Sequence, residues 1–169
     1  MSVDFFVAKC QETSNKKICG LCDNPPPSNT IAYLDETDGT KWIAVVHNEN
    51  REDVTFTAID KCIFILRENG KDAKRCDGML TYNDVVIFVE LKQKSPLGND
   101  WVKQGEEQLR ETINYFEKEI IAQSFTTKKA YIANSEHPKF KTSQARRMEQ
   151  FLEDTGYVLR IENRIKLSY

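Results

Sequence analysis

Glu90-Leu91-Lys92 closes the apolar run Val85-Val86-Ile87-Phe88-Val89, and this abrupt switch to charge is the most informative local event in the chain. An unbroken apolar run of this kind reads as a strand covered on both faces. Residues two apart on a strand share a face, so Glu90 and Lys92 project together. Upstream, Lys74 to Tyr82 reads as a partner strand joined to Val85–Lys92 through the tight turn Asn83-Asp84. Asp77 and Glu90 are equidistant from that turn, so an antiparallel pair makes them direct neighbours with Cβ atoms about 5 Å apart. Two carboxylates that close repel each other. A divalent cation offsets the repulsion, and Mg²⁺ is commonly held by one or two carboxylates plus waters and phosphate oxygens. A lysine on the same face can orient or deprotonate a water and stabilise charge on a phosphate. The parts are those of metal-assisted phosphodiester hydrolysis.

The elements that must position these groups follow from hydrophobic patterning and turn signals. Residues 1 to 30 read as an irregular arm containing the stiff loop Asn24-Pro25-Pro26-Pro27. Thr30–Leu34 and Lys41–Val46 read as a β-hairpin around Asp38-Gly39, and Val54–Leu66 as a longer strand. After a loop at 95–99, Asp100 can cap a helix running to about Ala122, with Val102, Leu109, Ile113, Phe116 and Ile120 as its apolar stripe. Ala130–Ala133 is a short strand. Thr142 or Ser143 caps a second helix to Asp154, which Gly156 stops. Tyr157–Ile161 and Ile165–Leu167 are the last strands. The expected fold is α/β, a mixed sheet flanked by helices with an N-terminal hairpin extension, in a single domain over residues 1–169.

Lys74-Arg75-Cys76-Asp77-Gly78 followed by Ile87-Phe88-Val89-Glu90-Leu91-Lys92 resembles the PD-(D/E)xK nuclease superfamily, whose motif is an acidic residue on one strand and (D/E)-x-K at the end of the next. The resemblance covers roughly residues 54 to 135 and implies the restriction-endonuclease-like fold. It implies Asp77 and Glu90 as Mg²⁺ (or Mn²⁺) ligands, the Leu91 carbonyl as a further ligand, and Lys92 as the catalytic lysine. In one exonuclease-like branch a Gln-Leu pair on the following helix sits near the site, and Gln108-Leu109 matches it. Cys76 stands where the motif name has proline, and Thr112 where that branch has an aromatic residue. Many members add a glutamate from the first helix; Glu12, Glu36 and Glu49 are the candidates for it here. The implied activity is hydrolysis of DNA, with RNA also open as a substrate, in defence against foreign DNA or in repair. The alternative is an inactive copy of the fold that binds nucleic acid or a protein partner. Many nucleases of this fold act as dimers.

Composition bounds the rest. The chain has 169 residues, 40% apolar and 30% charged, with a net charge of −2. That excludes a disordered chain and a protein coated in basic surface. Acidic side chains are in excess before residue 70 and basic ones slightly after it, so a polyanion site belongs to the second part. Lys94, Trp101, Lys103, Lys128 and Lys129 are the candidate nucleic-acid contacts, with Arg146-Arg147 as further phosphate holders. No apolar run is long enough to span a bilayer, and the first residues lack the basic and apolar regions of a secretion signal, so a cytoplasmic location is expected. The five cysteines are then expected to be reduced. Cys19-Gly20-Leu21-Cys22 has the spacing of half a structural Zn²⁺ site, with Cys10, Cys62 or His47 as partners only through tertiary folding.

Overall fold

The computed structural model describes residues 2–25, 28–93, 100–136 and 144–168. The strands are β1 (Gln11–Ser14), β2 (Ile18–Cys22), β3 (Tyr33–Asp35), β4 (Ala44–His47), β5 (Val54–Ala58), β6 (Gly78–Tyr82), β7 (Val85–Lys92), β8 (Thr127–Asn134), β9 (Val158–Ile161) and β10 (Arg164–Lys166). Two helices, α1 (Asp100–Glu117) and α2 (Ala145–Thr155), supply the α component. A six-stranded sheet has the order β1-β5-β6-β7-β8-β9, and a four-stranded sheet the order β10-β4-β2-β3. Both are mixed. β7, β8 and β9 run parallel, with α1 and α2 as their crossovers, while β1, β5, β6 and β7 alternate in direction.

The molecule is therefore α/β, built in three layers. Val86, Phe88, Met79, Ala130 and Ile132 face Val102, Leu109, Ile113 and Phe116 of α1 and Phe151 of α2. Ile87, Val89, Leu80, Tyr131 and Phe56 face Leu21, Ile43, Val46 and Ile165 of the smaller sheet. Helices do not flank the large sheet as expected: both lie on one face, and the four-stranded sheet covers the other. Every residue of β7 is buried as a result, which is why its sequence shows no alternation. No helix among the described residues is long and apolar enough to cross a membrane.

Several local expectations are corrected. The arm at residues 1 to 30 contains two strands. β1 carries only polar residues because it is an edge strand, and β2 carries the buried Leu21 and two buried cysteines. The hairpin at 30–46 does not form, because β2 lies between β3 and β4 and pairs antiparallel with both. Gly20 permits this. A Cβ there would fall 1.9 Å from the Trp42 ring, and that ring is fixed by donating from its indole N–H to Asp35 at 2.9 Å. The long strand at 54–66 stops at Ala58, where Asp60-Lys61 turns the chain and Lys61 takes φ 66°. α1 ends at Glu117 rather than near 122. A 3₁₀ turn follows at Ile120–Ser124, leaving Ile120 exposed instead of completing the stripe. Thr142 and Ser143 lie outside the described residues, while Gly156 ends α2 in the left-handed conformation as its position predicts.

Cys10 and Cys62 form a disulfide, correcting the expectation that all five cysteines are thiols. It ties the segment before β1 to the turn after β5 across 52 residues. Reducing it, or replacing Cys62 with Ser, is expected to cost about 2–4 kcal/mol of stability, read from urea unfolding with and without reductant. An unchanged midpoint would show that the bridge does not constrain the unfolded chain.

Candidate active site

β6 and β7 pair with Gly78 opposite Val89, so Asp77 and Glu90 occupy the next rung, as their spacing from the turn predicts. The turn itself forms at Asn83 with φ 48°. β6 is shorter than the run from Lys74, and α1 explains it. Thr112 Oγ1 accepts from the Cys76 amide at 2.9 Å and Glu111 accepts from the Lys74 amide at 3.1 Å. The segment before Asp77 is thus held by a helix instead of by β7. Thr112, a departure from the family pattern, is the residue that performs this. Gly78 lets the chain press against β5: a Cβ there would lie 2.4 Å from the Phe56 ring and 2.8 Å from the Thr57 carbonyl. Gly78→Ala is expected to destabilise by about 1–3 kcal/mol, measured by urea unfolding, because backbone on one side leaves little room to yield.

At this rung the side chains close on one another. The Asp77 amide donates to Glu90 Oε1 at 3.1 Å, and the Leu91 amide donates to Asp77 Oδ2 at 2.7 Å. A residue's N–H and C=O leave a strand on the same edge, so the Leu91 carbonyl points toward Asp77 as well, past the end of β6. Lys92 Nζ lies 3.0 Å from Glu90 Oε2 and donates to Gln108 Oε1 at 2.9 Å. Asp77, Glu90, Leu91, Lys92 and Gln108 are therefore brought together. All but Gln108 line a cavity of about 370 Å³.

Burial pushes the Asp77 carboxyl well above its usual range, and the Glu90 charge beside it adds to the shift. Burial also raises Glu90, with the Lys92 ammonium pulling the other way. Both acids bind protons more tightly folded than unfolded. Their contribution to stability is complete below the ordinary carboxylate pKa and is lost as pH rises through the raised folded values. Metal-free protein is accordingly expected to melt higher at pH 5 than at pH 8, with the difference reduced in Asp77→Asn. Equal melting temperatures for the wild type at the two pH values would contradict the shifts.

The donors at this rung are hard oxygens: two buried carboxylates in contact, with a backbone carbonyl turned toward them, a set that suits Mg²⁺ or Mn²⁺. Zinc at the CxxC fares differently. Cys19 and Cys22 stand three apart on one strand and point to opposite faces, Cys19 beside Ser14 and Cys22 beside Tyr33 and Asp35. Burial pushes both thiols up to about 11. Cys10 and Cys62 are bonded to each other. Among the described residues no group of three His, Cys, Asp or Glu side chains is placed to hold a metal ion.

The expected nucleic-acid contacts are largely displaced. Trp101 is buried in the core beneath α1 and offers no stacking face. Lys128 and Lys129 sit at the opening of β8, level with Val86 and Ile87, and are about 10–13 Å along the strands from Glu90. Lys128 is committed to Glu117 at 2.8 Å. Arg147 pairs with Glu106 on α1. Lys103 is exposed on α1, and Lys94 lies outside the described residues. Glu12 accepts from the Leu34 amide and Glu36 from the Ser14 hydroxyl, tying β1 to β3 and to the residue after it, while Glu49 is exposed beyond β4; none of the three lines the cavity.

Sequence reasoning overlooked Asp23, Asp60 and Lys61, which line the same cavity. Asp60 carries an ion pair with Arg75 at 3.6 Å, and Lys61 Nζ donates to the Ser28 carbonyl at 3.0 Å. No local pattern marks these residues: Asp60 and Lys61 reach Asp77 because the chain leaving β5 continues beside residues 76–77, with the Asp60 amide donating to the Cys76 carbonyl at 3.1 Å, while Asp23 arrives with the smaller sheet. No protein-family model, curated protein or solved structure matches the chain.

Proposed function

We propose that this protein is a Mg²⁺-dependent nuclease of the restriction-endonuclease-like class that hydrolyses DNA. One observation carries the reading: Glu90, buried at the end of β7, touches both the Lys92 ammonium and the Asp77 amide, and all three buried side chains line one cavity. Charged groups are rarely buried without a task, and perturbed carboxylates beside a cleft are candidates for chemistry. Asp77, Glu90 and the Leu91 carbonyl would hold the cation, which when bound supplies Lewis acidity and offsets phosphodiester charge. Lys92 Nζ donates to a phosphate oxygen or to the attacking water and stabilises the negative charge that builds on phosphorus. Gln108 fixes the direction of that ammonium through its 2.9 Å bond. Water attacks phosphorus and the bond to the leaving sugar oxygen breaks; the water's proton passes to solvent through the open cavity, and the leaving oxygen takes up a proton from solvent.

A second reading, an inactive module that binds nucleic acid or a protein partner, is favoured by the absence of a ready three-ligand cluster among the described residues. The two are separated by cleavage assays on single- and double-stranded DNA, and on RNA, in Mg²⁺, Mn²⁺ and EDTA beside Lys92→Ala. Metal-dependent cutting of DNA lost in the variant is the expected result. Cutting that survives in Lys92→Ala, or none by folded wild-type protein, overturns the nuclease reading.

A further inference from the structure

A second cavity, of about 460 Å³, lies between α1 and α2, and arginines dominate its walls. Arg110 comes from α1, and Arg146 and Arg147 come from the first turn of α2. Glu106 is the one acid among the described lining residues, and it already serves two of the three. Arg110 Nε lies 2.5 Å from Glu106 Oε2, and Arg147 Nη1 pairs with Oε1. Asp154 takes a further N–H of Arg110 at 2.9 Å, and Gln144 Oε1 accepts from Arg147 Nε at 2.9 Å. The Arg110 guanidinium also lies over the Phe151 ring, 5.0 Å from its centre. Two guanidiniums are thus fixed side by side. Each carries five N–H donors, and these bonds leave most of them unused. Arg146 is exposed and has no ion-pair partner among the described residues.

A tie between the two helices accounts for Glu106, Arg110 and Arg147, but not for Arg146. Nor do the arginines serve α2 itself, because the helix dipole favours acids in a first turn and this one holds none. The place of the cavity suggests another use. β7 and β8 run parallel with Lys92 level with Asn134, and α2 follows β8. The helix therefore begins at the edge of the sheet where the candidate active site lies. On α1, Gln108 meets Lys92, while Glu106 and Arg110 stand two positions to either side and so occupy the opposite flank. The helix between is about 10 Å across. One strand of duplex DNA advances about 3.4 Å per nucleotide, so about three nucleotides span that distance. Guanidinium forks match phosphate oxygens two at a time. We propose that the arginine cavity holds a backbone phosphate of the DNA whose scissile phosphate sits at Lys92. The proposal rests on the reading of the protein as acting on DNA. It keeps Arg146 and Arg147 from the expected contacts, adds Arg110, and turns the DNA path toward α2 and away from the lysines that open β8.

The test is binding of a fluorescein-labelled DNA duplex by anisotropy, on the full chain across a salt series, in EDTA so that none is cut. Cleavage of the same duplex in Mg²⁺ is read separately. Arg146→Glu is expected to weaken binding at least tenfold at low salt and to raise KM for cleavage to match. Its side chain is exposed and its loss leaves both Glu106 pairs intact, so folding should be spared. The slope of log affinity against log salt should become shallower by about 0.9, the share of one phosphate. Lys16→Glu makes the same charge change in the turn between β1 and β2, at the other edge of the large sheet. It is expected to change affinity less than threefold. Arg146→Glu binding as tightly as wild type would overturn the proposal alone, with cleavage by wild type unaffected. Equal weakening by Lys16→Glu would also overturn it, in favour of a general charge effect. Wild type that binds no DNA would overturn both the proposal and the reading on which it rests. Wild type that binds through Arg146 without cutting would uphold the cavity as a DNA site and overturn only the catalytic reading. Should Arg146→Glu fail to fold, Arg146→Ala with the same salt slope decides the question.

Discussion

Lys92→Met is expected to lower metal-dependent DNA cleavage by about 10²–10³-fold, the cost of removing one aimed donor from a developing oxyanion. Methionine keeps the unbranched stem and therefore most of the packing, so the loss is confined to the ammonium. The effect should be large because the group is held in place before substrate arrives: Glu90 and Gln108 grip Nζ at 3.0 and 2.9 Å. Glu90 is left without its counter-charge in the variant, so added Mg²⁺ should raise the melting temperature more in Lys92→Met than in wild type. Single-turnover cleavage and thermal melts with and without Mg²⁺ check the two halves separately. A variant that cuts within threefold of wild type would remove Lys92 from the chemistry.

Glu90→Gln is expected to destabilise the metal-free protein, though by less than the ~3–5 kcal/mol usual for deleting one partner of a buried ion pair, because burial already disfavours the Glu90 charge. Glu90 is 3% exposed and Lys92 9%, so the stranded ammonium has little water to turn to. Sequence spacing alone suggests the opposite sign, since relieving the Asp77–Glu90 repulsion should stabilise. The geometry decides between them. Lys92 lies across Glu90 and not across Asp77, and the Asp77 carboxyl, raised by burial and by Glu90, is the member that resists ionisation. Asp77→Asn should therefore stabilise the metal-free protein, because the amide oxygen still accepts from Leu91 while the charge is gone. Urea unfolding of both variants in EDTA measures this. Glu90→Gln more stable than wild type would mean that carboxylate repulsion outweighs the ion pair.

The difference between what could be read in advance and what could not has a physical basis. β7, its turn and its register with β6 were legible because an apolar run, a two-residue turn and a charged end are all local signals. α1 was legible through Gly105 to Phe116, where one face meets Ile132 and its neighbours, but its end was not. The apolar residues 120 to 122 imitate another helical turn that the chain does not make. β1 was hidden because an edge strand of Gln, Glu, Thr and Ser has no apolar alternation to display. β2 was hidden behind its own CxxC, whose spacing suggested zinc while its glycine serves to admit Trp42. In the site, Glu90 and Lys92 stand two apart at a strand end and Asp77 faces Glu90 across a short turn, so spacing alone joins these three, whereas Gln108 was named only through a resemblance. Asp23, Asp60 and Lys61 are ordinary loop residues in sequence; the pairing of β5 with β6 brings the last two to the site, and the meeting of two sheets brings the first. Cysteine pairing was not derivable either, since it depends on which loops fold side by side.

β10 pairs in parallel with β4, placing Arg164–Lys166 beside residues 45–47. The smaller sheet is thus woven from early and late stretches of the chain, with β2, β3 and β4 made long before their last neighbour. During synthesis, β4 keeps one bare edge until residue 166 has cleared the ribosome, and such an edge invites pairing with the wrong strand. Pairings this distant in sequence also form slowly. The larger sheet can assemble earlier from β5 to β8, whose contacts are shorter in range. The nascent protein should consequently pass through a stage in which Asp77, Glu90 and Lys92 are in register but the wall bearing Asp23 is not yet secured, so that competence arrives last, with the final strand.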